Sequence, residues 1–85
     1  MRYRVRVRIL PRTGILDPQG QAVAHALAAL GFAGVRDARV GRTVELALDA
    51  AGEAEAREAA RRMCESLLAN PVTEDFTVDA AEAQA

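Results

Sequence analysis

Few residues in this 85-residue chain have the types and spacing that chemistry needs. There is one histidine, His25, and one cysteine, Cys64. One of each excludes an internal disulfide and a cysteine-based zinc site. Ser66 has no histidine and acid in a triad-like pattern. Cys64 sits among alanines and leucines, the setting of a buried structural thiol rather than a nucleophile. His25 lies on the helical face opposite Val23, shared with Gln21, and a lone exposed histidine there reads as solvated. Gly14 and Gly20 flank a loop that leads into a helix start, where an anion can bind. Asp17 already occupies that cap and repels a phosphate. The chain therefore reads as having no catalytic, cofactor-binding or metal-ligating residue.

The stretch Thr13–Gly20 is the best-punctuated part of the sequence. Asp17 suits an N-cap, accepting the backbone N–H of Gln19 or Gly20. Pro18 falls at the first helical position, where its missing N–H costs nothing. Ile15 and Leu16 are apolar residues in a loop. They either tuck under the helix as a staple or present themselves to a partner.

Around this stretch the elements follow from hydrophobic periodicity. Residues 2–10 alternate strictly, with Arg2, Arg4, Arg6 and Arg8 on one face and Tyr3, Val5, Val7 and Ile9 on the other. This is a half-buried strand, ended by Pro11. Residues 18–30 form a helix with Val23, Leu27 and Leu30 on one side and Gly31 as its stop. Residues 35–40 are expected as a second, irregular strand and 43–49 as a third, with Val44, Leu46 and Leu48 inward. Gly41-Arg42 looks like a two-residue hairpin turn. Parity opposes that turn, because it sets Val40 opposite Thr43 and so on the other face from Val44. Residues 53–69 form the longer helix, with Ala56, Ala60, Met63 and Leu67 as its apolar stripe. Glu53–Arg57 and Glu58–Arg62 are i,i+4 pairs worth about 0.2–0.5 kcal/mol each. Residues 72–79 form a last strand, with Phe76 and Val78 inward. Residues 1–79 make one domain, and 80–85 read as a disordered tail.

The order β-α-β-β-α-β predicts an α+β two-layer sandwich. A four-stranded antiparallel sheet carries two helices on one face in the ferredoxin-like arrangement, with the first strand between the third and fourth. Apolar residues make up 51% of the chain, but nineteen are alanine, so a lone chain has a thin core and oligomerisation is a natural supplement. The formal charge of −1 gives no global pull toward nucleic acid or membrane. No apolar run reaches the length of a membrane span, and the chain reads as soluble and cytoplasmic.

The arginine stripe invites a nucleic-acid reading. In the expected strand order, however, its neighbours carry outward Glu45, Asp49, Asp75 and Asp79, which makes a mixed ionic face. No outward aromatic residue is present for base stacking. Acylphosphatases share this topology and use an arginine after the first strand with an asparagine on the second. Arg12 fits the first place, but residues 35–49 contain no asparagine.

Several blocks together resemble the PurS family. They are Gly14-Ile15-Leu16-Asp17-Pro18-Gln19-Gly20, Val40-Gly41-Arg42, Met63-Cys64-Glu65, Leu67-Leu68-Ala69-Asn70 and Glu74-Asp75-Phe76. Thr73 stands where an aliphatic residue is expected, and the helices are richer in alanine. The resemblance covers nearly the whole chain. It implies the small subunit of phosphoribosylformylglycinamidine synthase in purine biosynthesis, a homodimer or tetramer without catalytic residues. Such a subunit bridges a glutaminase and a large ATP-dependent synthetase subunit and supports ammonia transfer between them; ATP and Mg are used by the complex and not bound by this chain. Arg12, Ile15, Leu16, Gln19 and Gly20 are then expected at subunit contacts. The alternative is a free-standing ferredoxin-like module that binds a small effector.

Overall fold

A computed structural model describes residues 1–12 and 17–84. The elements run β1 (Arg2–Pro11), α1 (Pro18–Ala29), β2 (Arg42–Asp49), α2 (Glu53–Met63), a π-helical turn (Cys64–Leu68) and β3 (Glu74–Gln84). The sheet is antiparallel in the order β2-β1-β3. The first strand therefore lies between the two segments expected as third and fourth.

The alternation of β1 sets the core. Val5, Val7 and Ile9 are fully buried and Tyr3 nearly so. Ala56 and Ala60 of α2 and Cys64 of the π-helical turn, all fully buried, pack in one cluster with Tyr3, Val5 and Val7. Small side chains at i, i+4 and i+8 let the helix lie close to the sheet. Ala81 of β3 completes the cluster, with Phe76 and Val78 at its margin. Because α2 packs mainly on β1 and β3, the inner residues of β2 (Val44, Leu46 and Leu48) are only half-buried.

Several expectations require correction. Among the described residues the sheet has three strands rather than four. Residues 35–40 form no strand, and the chain makes no hairpin turn at Gly41-Arg42, in keeping with the parity conflict. Helix α1 starts and stops as expected. Asp17 caps it, Pro18 is its first residue, and Gly31 (φ 99°) ends it, with Phe32 N–H on the Leu27 carbonyl and Gly31 N–H on that of Ala28. Yet α1 makes no substantial packing with the sheet or α2, so the two helices do not share one sheet face.

The long helix changes at Cys64. Ala69 N–H reaches the Cys64 carbonyl, five residues back. The buried line is therefore Ala56, Ala60, Cys64 and Ala69, while Met63 and Leu67 swing aside into solvent. Glu58 pairs with Arg61 (2.6 Å) rather than Arg62. Residues 80–84, expected in the tail, belong to a strand. β3 continues to Gln84 because Asp79 bulges, which shifts the register between Val7–Val78 and Arg6–Ala80. The parity change puts Ala81 inward opposite Val5.

The molecule measures 49 × 29 × 14 Å with a radius of gyration of 16.1 Å. A compact chain of this length has roughly 12 Å. The excess comes from an arm, α1 with residues 30–40, that stands off the sheet.

If small residues set the approach of α2, Ala60→Leu should destabilise the fold by about 1–3 kcal/mol through overpacking. Ala54→Leu, at an exposed position of the same helix, should be nearly neutral. Urea unfolding of both variants checks this, and equal midpoints would refute it.

Candidate interaction surface

The residues that chemistry might have used are spent on structure or left in water. Cys64 is buried, and burial pushes its thiol above the ordinary value, which suppresses the reactive thiolate. His25 is exposed on α1. Among the described residues no group of His, Cys, Asp or Glu is placed to hold a metal ion. Among the same residues no helix is long and apolar enough to cross a membrane.

The expected contact residues scatter. Ile15 and Leu16 lie outside the described residues. Arg12 folds back onto the turn before β3. Its Nε donates to Asp75 Oδ1 (3.1 Å), Nη2 to the Pro71 and Glu74 carbonyls, and its backbone N–H to the Thr73 carbonyl. Gln19 is exposed on the first turn of α1. Gly20 is buried, and a Cβ there would sit 2.2 Å from the Ala38 carbonyl oxygen. Its role is to let the chain approach the helix start.

Asp17 pins the base of the arm. Its Oδ1 accepts the Gly20 N–H and its Oδ2 the Val40 N–H, both at 3.0 Å. These two N–H groups hold its carboxyl below the ordinary range. Arg39 Nη1 reaches the Pro11 carbonyl (3.1 Å) and ties the base to the end of β1.

A second polar network holds the opposite end of α2. Arg42 donates to Glu74 through both terminal guanidinium nitrogens, at 2.6 and 3.0 Å, and also reaches the Leu68 carbonyl. Glu74 accepts the Asn70 N–H at 2.7 Å. The Arg42 side chain first, and the Asn70 N–H second, hold Glu74 below the ordinary value. The turn 70–73 is further closed by Val72 N–H on Asn70 Oδ1. Sequence reasoning missed this pair because the partners lie 32 residues apart. The available signal was Arg42 at an inward position opposite Ile9, where a cation requires a partner.

Among the described residues two apolar surfaces stand out as uncovered. One is the arm, where Val23, Leu30 (74% exposed), Phe32 (57%) and Val35 face water. The other is a groove of about 380 Å³ lined by Leu46, Met63, Leu67 and Leu68, with Arg62 and Ser66 at its rim. Leu67 is 82% exposed there. The outer sheet face is ionic. Arg4 and Arg6 approach Glu45 (3.9 Å each) and Arg8 approaches Asp79 (3.6 Å). Exposed pairs of this kind contribute about 0–1 kcal/mol.

Comparison with known proteins bears on these surfaces. The family model PurS, phosphoribosylformylglycinamidine (FGAM) synthase, matches residues 4–82. The phosphoribosylformylglycinamidine synthase subunit PurS of Mycobacterium leprae is 47% identical over 72 residues, covering 85% of this chain and 87% of that protein. The structure of Thermus thermophilus PurS superposes with a TM-score of 0.87 at 40% identity over all of both chains. A chain in the structure of PurLQS from Thermotoga maritima superposes at 0.82 with 27% identity, covering 92% of this chain and 95% of that one.

Asp17 and Glu74 give the fold a pH dependence of definite sign. Both have folded-state pKa values below the ordinary 3.8 and 4.5. Their stabilisation is complete above those ordinary values and is lost as pH falls through the lower, folded-state ones. The urea midpoint should hold from pH 7 to about pH 5 and fall below that. In Glu74→Gln the fall should be shallower, and an identical pH profile for the variant would refute the assignment.

Proposed function

The chain belongs to the PurS family, and from that premise we propose that it is a non-catalytic assembly subunit of a cytoplasmic FGAM synthase complex. In this role it bridges a glutaminase subunit and an ATP-dependent synthetase subunit and supports the passage of ammonia between them. ATP and Mg act elsewhere in the complex and are not held by this chain. The observation that carries the reading is the pair of uncovered apolar faces on a chain whose reactive side chains are buried or isolated. Such surface belongs to interfaces.

The same observation supports a homodimer. A β-sheet face lacking its helix and a helix lacking its sheet are complementary, and both occur in one chain. When two copies meet, α1 of one lies over Val44, Leu46 and Leu48 of the other, beside Met63 and Leu67. Residues 35–40 of the first copy lie along the free edge of β2 in the second. Each half then becomes a four-stranded sheet with two helices on one face, the ferredoxin-like layout assembled from two chains.

Leu30→Asp should convert the dimer to monomer at micromolar concentration, read by light scattering, and should abolish co-purification with the synthetase and glutaminase subunits in the presence of ATP-Mg and glutamine. Wild-type protein that recovers neither subunit under those conditions would overturn the assembly role. A ligand-induced melting shift without any partner would then favour an effector-binding module.

A further inference from the structure

We infer that Asp17 is a latch that keeps the arm from folding back onto its own sheet, so that the missing helix and strand come from a second copy. The inference rests on the arm-exchange reading above and adds the reason why exchange is obligatory.

To complete its own sandwich, the chain would have to turn at Gly41-Arg42 and run residues 35–40 back along β2. A tight two-residue turn needs positive φ at one or both central positions. Among the described residues only Gly31 has positive φ. Gly41 instead carries the chain past the end of β1, where a Cβ would lie 2.1 Å from the Ile9 carbonyl oxygen. Its lack of a side chain serves close approach and not a turn.

The latch acts on the group that closure needs. In a closed two-residue hairpin, Val40 and Thr43 form the hydrogen-bonded pair that flanks the turn, which uses the Val40 N–H. Asp17 Oδ2 already accepts that N–H at 3.0 Å, while Oδ1 holds Gly20 at the first turn of α1. Opening the hairpin path therefore breaks a charge-assisted bond. The Arg39–Pro11 contact braces the same point.

Register gives an independent obstacle. Thr43 pairs with Arg8 on the outer face of the sheet, and Val44 with Val7 on the inner face. Closure with Val40 opposite Thr43 would bring Arg39 opposite Val44 and Asp37 opposite Leu46. Two charged side chains would then lie on the apolar face, and Val40 would leave it. A segment from a second copy is not tied to β2 by a turn, so it is free to present Ala38 and Val40 inward.

Asp17→Asn separates the latch from the helix cap. Asparagine is as good an N-cap as aspartate, so its oxygen keeps the Gly20 bond while its amide nitrogen offers Val40 no acceptor. Exchange between differently tagged copies is followed by native mass spectrometry and the radius of gyration by small-angle scattering. The variant should exchange subunits about tenfold faster, and because the register obstacle remains it should keep the extended radius of gyration of the wild type. Asp17→Ser, also a capping residue with a single oxygen, should behave likewise. Dimeric wild type with unchanged exchange in both variants, at unchanged helix content, would overturn the latch alone. A wild-type protein that stays monomeric at every concentration would overturn arm exchange itself, and the latch with it.

Discussion

Everything the chain buries by itself is organised by the inner face of β1. Tyr3, Val5, Val7 and Ile9 are its one continuous line of large buried side chains, because β1 alone has a neighbour on both edges and a helix above. The other strands are edges, and their inward residues are only partly covered. With nineteen alanines in the sequence, the remaining elements have little volume to contribute. One strand's worth of core holds one helix against the sheet. It cannot also hold a second, and the structure shows α1 standing free.

The polar contacts are placed where the apolar ones stop. Asp17 and Arg39 fix the base of the arm, and Arg42 with Glu74 and Arg12 fixes the turn between α2 and β3. Each joins segments that share no core. The π-helical turn belongs to the same economy. By inserting one residue after Cys64 it keeps the buried line of α2 on the sheet and moves Leu67 outward. A continuous α-helix would have put Leu68 rather than Ala69 next on the buried line after Cys64.

Much of the architecture is legible in the residues. Strict alternation marks β1 and β2, Asp17-Pro18 and Gly31 bracket α1, and the outward acids Glu45 and Asp79 do meet the arginine stripe. The misses have physical causes. Periodicity reports that a segment suits a sheet, not which sheet edge receives it, so residues 35–40 look like a strand and remain unpaired in one chain. The parity conflict between Val40 and Val44 was the visible sign that the local hairpin does not close. The end of β3 consists of small residues and acids, where a one-residue bulge hides the alternation. The long-range pair Arg42–Glu74 leaves no local pattern. Of the surface itself, the loop pair Ile15-Leu16 is the feature legible in the sequence, and the structure adds the exposed apolar residues of α1, Phe32 and the Met63–Leu67 flank.

Helix α1 carries no Asp, Glu, Lys or Arg and the groove only Arg62, which has a consequence for temperature. Contact between two such surfaces is driven by removal of apolar area from water, a force that is entropic near 25 °C and fades on cooling. Its burial carries a negative heat-capacity change. Without opposite charges to draw the surfaces together, encounter proceeds at the unsteered rate and responds little to ionic strength. An assembly held in this way loosens in the cold and tightens on modest warming, the reverse of one held by ion pairs formed with favourable enthalpy.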